Sequence, residues 1–132
     1  MIDQKIFDIL KKMALTVEPV ARTRFASAVV YRKDVVAFGI NQKKSHPFMI
    51  PFTKNEDAIF LHAEVDAIKN ALKEMDDLSR CSLYVLRIKK DNDRKTNICG
   101  LAKPCIGCMR AISTFGIKNV KYTLDNSGYG VL

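Results

Sequence analysis

The chain lacks any apolar run that matters to a bilayer. Its longest stretches without a polar residue are a few residues, against the roughly 20 needed to cross a membrane. No internal repeat or low-complexity stretch interrupts it, and no recognisable nucleic-acid-binding module is present. Its first residues, MIDQKIFDILKK, carry acids and lack the apolar centre of a signal peptide, so secretion is not expected and a cytoplasmic location is. Apolar material is not what is missing. With 132 residues, 48% hydrophobic and 27% charged, the composition is that of one soluble globular domain spanning 1–132. Such a chain builds a core without help from disulfides or a structural metal. Membrane and disordered classes are excluded.

Acidic residues are under-represented. Lys and Arg total 22 against 14 Asp and Glu, a net charge of +8, which favours anionic partners such as nucleotides or nucleic acid. The excess is concentrated. Residues 87–110 hold seven basic side chains (Arg87, Lys89, Lys90, Arg94, Lys95, Lys103, Arg110) and two acids, which is +5 of the +8. Any one of these residues can equally belong to a solvated face that keeps the protein soluble.

Four cysteines in a chain not expected to be exported argue for metal or catalytic use rather than disulfides. Cys105 and Cys108 are separated by two residues. Cys81 and Cys99 have no motif spacing and read as small buried hydrophobes.

Apolar Ile6, Ile9, Leu10 and Met13 recur at helical spacing over residues 2–15, and Pro19 ends any continuation. Residues 25–31 and 35–41 form β-branched and aromatic runs around Arg32-Lys33-Asp34, a hairpin. Residues 42–60 have no period and read as a loop. Residues 62–75 place Val65, Ile68, Leu72 and Met75 on one helical stripe, 82–88 read as a strand, and 89–103 as a basic loop. A helix over 105–115 lies between Pro104 and Gly116, and 118–124 form the last clear strand. The tail after Asn126 leaves room for a stunted strand at most. Helices alternating with strands after a hairpin predict an α/β fold: a three-layer α/β/α sandwich around a mixed sheet of four to five strands.

The chemistry converges on two helix starts. His62 opens one helix, with Glu64 two residues on. Cys105 and Cys108 lie in the first turn of another, and an i, i+3 pair faces one way, so both thiolates can reach one metal ion. One imidazole and two thiolates suit Zn²⁺, and three protein ligands leave a position for water, as a catalytic site requires. Zinc can lower the pKa of such a water from ~15.7 to about 7. Glu64, one residue removed from a ligand, is then the group to move protons between the water, the reacting ring and the leaving group. His-x-Glu with Pro-Cys-x-x-Cys resembles the zinc-deaminase signature, and that resemblance implies hydrolytic deamination of an amidine-like ring carbon, a reaction this equipment suits.

These residues carry a resemblance. His62-Ala63-Glu64 with Ile68, and Pro104-Cys105-Ile106-Gly107-Cys108, make the sequence resemble the cytidine and deoxycytidylate deaminase superfamily. Gly39-Ile40-Asn41 at a strand end, and Gly116-Ile117-Lys118-Asn119-Val120 with Tyr122, support the likeness, which spans roughly residues 25–123. The resemblance implies zinc bound by His62, Cys105 and Cys108, with Glu64 as proton shuttle. It implies that Asn41 hydrogen-bonds the sugar or base and that the Ala63 amide meets the base carbonyl. The substrate it implies is a small cytosine nucleoside or nucleotide, attacked at C4, and the assembly a homo-oligomer. The 89–103 segment is longer than the strand-to-cysteine link of many members.

Several readings stay open. Asn41 is a ligand contact or a turn residue, His46 a substrate contact or a surface histidine, and Tyr122 and Tyr129 base-stacking or packing groups. Phe48 and Phe52 are pocket walls or loop anchors. Against the small-molecule deaminase stand a deaminase acting on a base in tRNA or single-stranded nucleic acid, and a non-catalytic zinc-stabilised binding module. The last would need a fourth ligand, from Cys81, Cys99 or His46.

Overall fold

The computed structural model describes residues 2–17, 24–45, 47–52, 60–90, 93, 95–125 and 128–132. His46, Arg94 and Pro19 lie outside them. Helix α1 (Ile2–Thr16) leads into the hairpin β1 (Arg24–Tyr31) and β2 (Asp34–Ile40). Then come β3 (Gln42–Ser45), a 3₁₀ helix (Pro47–Phe52), β4 (Phe60–Leu61) and α2 (Ala63–Ala71). The chain ends with β5 (Cys81–Lys90), β6 (Asn97–Gly100), α3 (Ile106–Thr114), β7 (Asn119–Thr123) and β8 (Tyr129–Val131).

The main sheet has six strands in the order β2-β1-β5-β7-β8, with β6 also paired to β5. Among the described residues only β5 and β7 are parallel, joined through α3; every other pair is antiparallel. The sheet is mixed, as expected, but one strand larger. The extra strand is β6. Part of the basic segment expected as a loop is paired strand: β5 runs on to Lys90, and Asn97–Gly100 pairs back along it. Thr123 joins the three strands that meet there, accepting from the Arg87 amide at 3.2 Å and donating to the Gly100 carbonyl at 2.7 Å. The 42–60 region likewise holds two short paired strands and a 3₁₀ helix.

Helices cover both faces, giving three layers. On one face α1 buries Ile6, Phe7, Leu10 and Ala14 against Ala26, Ala28, Val30, Leu86 and Ile88. The expected stripe is shifted, because Ile9 is exposed and Asp3 is buried instead. Asp3 takes hydrogen bonds from Lys121 Nζ at 2.8 and 3.0 Å, from Tyr84 Oη, and from Tyr129 Oη at 3.1 Å. Four elements are thereby tied together through one carboxylate. On the other face α2 and α3 enclose Val65, Ile68, Leu83, Val85, Ala111, Ile112 and Val120. Among the described residues no helix is long and apolar enough to cross a membrane.

The second face positions the site. α2 runs from the Phe25 end of the sheet toward the Tyr31 end, where the chain enters β5, and α3 returns the same way to reach β7. Both helix N-termini therefore lie at one end of the sheet.

Candidate metal centre and its surroundings

His62 is the N-cap of α2, yet its side chain makes no cap hydrogen bond. It turns instead toward the cysteines: Nδ1 lies 3.3 Å from Cys108 Sγ and 3.6 Å from Cys105 Sγ. Cys105 is the N-cap of α3, and its sulfur accepts from the Cys108 amide at 3.5 Å. Pro104 is buried before it, and Gly116, at φ +75, ends the helix in a conformation that favours glycine. The three donor atoms all lie within 4.8 Å of one another. Two donors about 2.0–2.3 Å from one tetrahedral ion stand about 3.6 Å apart, so the nitrogen–sulfur spacings fit zinc. The donor set is the expected one.

A charge rests naturally on one of these sulfurs, that of Cys105. A hydrogen bond from Cys108, then one from His62, hold the Cys105 thiol down to about 3 against the desolvation by the protein around it. The same contact and burial push Cys108 well up. The bond to Cys105 raises His62. Helix N-termini favour the thiolate further.

Glu64 is buried and electrostatically coupled to His62 and to both cysteines. Burial pushes its carboxyl above the ordinary range, although His62 opposes this. Cys105 is exposed and Cys108 wholly buried, so the group opens on the Cys105 side.

Among the described residues no fourth metal-ligating side chain joins this group. Cys81 is buried in the core with its sulfur 4.0 Å from Met75 Sδ, and Cys99 packs against the α1 layer on the opposite face. Neither supplies the ligand that a closed structural site would take.

The remaining candidates divide. Asn41 is buried, and its Oδ1 accepts from the Phe25 amide at 2.8 Å, so that oxygen holds the start of β1. Ala63 is the first residue of α2, where helix amides have no intrahelical partner; its carbonyl accepts from Ser27 Oγ at 2.6 Å. Tyr122 packs half-buried on the site-bearing face, with its ring so close to Gly130 that a Cβ there would stand 2.9 Å from Cζ. Tyr129 lies on the opposite face, 5.2 Å from the Phe7 ring, and is not a base-stacking group for this site. Phe48 and Phe52 are anchors, Phe48 stacking on Phe115 at 5.8 Å.

Asp66 is a site-supporting residue that the motifs do not reveal. Buried on α2, it accepts from the Ile40 amide at 3.1 Å and Gln42 Nε2 at 3.3 Å, which holds the chain on either side of Asn41. Its one sequence signal is its place one turn after His62, on the same helix face.

The family described as the cytidine and deoxycytidylate deaminase zinc-binding region matches residues 1–124. No curated protein sequence matches. Among solved structures, the apo dCMP deaminase of cyanophage S-TIM5 superposes with a TM-score of 0.63 at 19% identity, covering 93% of this chain and 82% of that one. The same phage protein in complex with dCMP and dUMP gives 0.60 at 18% identity, covering 93% and 81%. A cytidine deaminase from Burkholderia pseudomallei gives 0.64 at 16% identity, covering 98% and 90%. At these identities the likeness is one of fold.

Proposed function

Because the chain belongs to the cytidine and deoxycytidylate deaminase family, a zinc-binding family, we propose that it hydrolytically deaminates the cytosine of a small nucleoside or nucleotide. The observation that carries this reading is a buried carboxylate, Glu64, in the first turn of the helix that His62 caps, where His62 joins a His/Cys/Cys donor group that fits zinc.

His62, Cys105 and Cys108 would hold the ion, which when bound lowers the pKa of a water from ~15.7 to about 7. The chain's own part is proton movement. Overall, water adds its oxygen at C4, the C4–amine bond breaks, and ammonia leaves. Glu64 accepts a proton from the water and delivers it to the ring nitrogen next to C4, then takes the remaining hydroxyl proton as the C4 carbonyl forms and gives it to the departing amine. A carboxylate can serve each transfer only if it is fixed. The helical start after His62 and the burial of Glu64 supply that rigidity. Two thiolates balance the ion's charge, which leaves the basic side chains nearby free to attract an anionic substrate.

The test is a substrate panel of cytidine, deoxycytidine, their 5′-monophosphates and adenosine-containing RNA, read by ammonia release from zinc-loaded protein. Release from a cytosine monomer is the expected result. Release from RNA alone would move the reading to a polynucleotide deaminase.

A further inference from the structure

One cross-strand row lies at the end of the sheet where α2 and α3 begin. Asn41 bonds Phe25 in both directions, Phe25 is directly opposite Arg87, and Arg87 is directly opposite Gly100. Phe25 packs on the core beneath α2 and α3, as does Val85 two residues before Arg87, so this row faces the site. The adjacent row on that face contains Gly39, Ser27 and Val85, and on it rests the first turn of α2. Arg87 is therefore one row beyond the turn that bears Glu64.

Its side chain is held in place. The stem crosses Gly100, where a Cβ would stand 3.0 Å from Cδ and 3.3 Å from Nε, so a larger residue there would crowd it. The guanidinium carbon lies 5.8 Å from the Phe25 ring centroid, and Nη1 reaches the Leu101 carbonyl at 3.5 Å. Leu101 is four residues before Cys105, so the guanidinium borders the segment that delivers the metal-binding cysteines.

Its hydrogen-bonding capacity is largely unused. Arginine carries five N–H donors, and among the described residues only that 3.5 Å contact engages them. Nε is buried with no partner, a state native structures rarely leave without a reason. The nearby Asp125 is already taken by Lys89 Nζ at 2.8 Å and the Leu101 amide at 3.0 Å. A positioned planar fork, backed by an aromatic ring and lacking a carboxylate partner, suits a phosphate.

We propose that Arg87 binds the 5′-phosphate of the substrate, which makes this chain a deaminase of cytosine mononucleotides in preference to nucleosides. The inference rests on the deaminase reading above and adds its specificity residue. Arg87 acts on affinity for the phosphate; the proton transfers belong to Glu64.

The experiment compares kcat/KM for dCMP and deoxycytidine in the zinc-loaded wild type, Arg87→Gln and Arg87→Lys. The wild type is expected to prefer dCMP. Losing a charged hydrogen-bonding partner should lower kcat/KM for dCMP about 10–100-fold in Arg87→Gln, mostly through KM, with a loss on deoxycytidine at least tenfold smaller. Arg87→Lys, which keeps the stem and charge but not the fork, should lose less, with the same selectivity. Equal losses on both substrates, or a wild type that prefers deoxycytidine, would overturn the assignment. Calorimetric titration of dCMP and deoxycytidine into the same proteins separates the two claims. Tighter binding of dCMP that depends on Arg87, without ammonia release, would sink the reaction and keep the phosphate contact. Equal affinity for the two ligands would sink the contact.

Discussion

Gly39 and Ala63 are in backbone contact: a Cβ on Gly39 would stand 2.3 Å from the Ala63 carbonyl oxygen. The same atom would meet the Ala67 nitrogen at 2.3 Å. This approach, with the Ser27 hydrogen bond to the same carbonyl, seats α2 on the sheet and so fixes where His62 and Glu64 point.

Gly39→Ala should therefore act at a distance. Both obstructing groups are backbone, so no side-chain rotation relieves the overlap, and α2 must lift with its metal ligand. The expected outcome is about 1–3 kcal/mol lower stability in urea unfolding, accompanied by weaker zinc retention. Wild-type stability and zinc affinity would show that the helix is not seated in this way.

Glu64→Gln keeps the shape and removes the ability to carry a proton. Zinc content should be unchanged while ammonia release falls about 10²–10⁴-fold. Turnover within tenfold of the wild type would remove Glu64 from the proposed role.

Asp3 offers a test on the far side of the sheet. Burial alone would raise its pKa, but the hydrogen bonds from Lys121, Tyr84 and Tyr129 outweigh it and hold the carboxyl below its ordinary value. A carboxyl depressed in the folded state stabilises the protein at neutral pH, and that contribution is lost as pH falls through and below the ordinary carboxylate range. Asp3→Ala should cost about 1–3 kcal/mol at neutral pH, because it strands the Tyr84 hydroxyl and Lys121 amine, and the deficit should shrink on acidification. Zinc content should not change, since α1 is on the face opposite the metal group. A pH-independent deficit would contradict the network.

The parts legible in the sequence are those written in local spacing. His62 with Glu64, and Cys105 with Cys108, are short-range pairs that a helix start turns into a shared direction, and the structure brings His62, Cys105 and Cys108 together. The hairpin and the later strands and helices follow from apolar periodicity in the same way. What escapes is whatever depends on register. Asp3 is buried only because Lys121 and Tyr129, more than a hundred residues away, arrive to meet it. β6, four residues long and flanked by charge, gains its hydrogen bonds from β5 and has no strong pattern of its own. Arg87 reads as one of seven basic residues until the sheet sets it between Phe25 and Gly100.

The most direct test of the whole proposal is zinc X-ray absorption on the purified chain, with metal content measured alongside. One zinc per chain is expected, bound by two sulfurs and one imidazole nitrogen, with an oxygen that exchanges with solvent as the fourth neighbour. A fourth protein ligand, or a purified protein that retains no zinc, would contradict it.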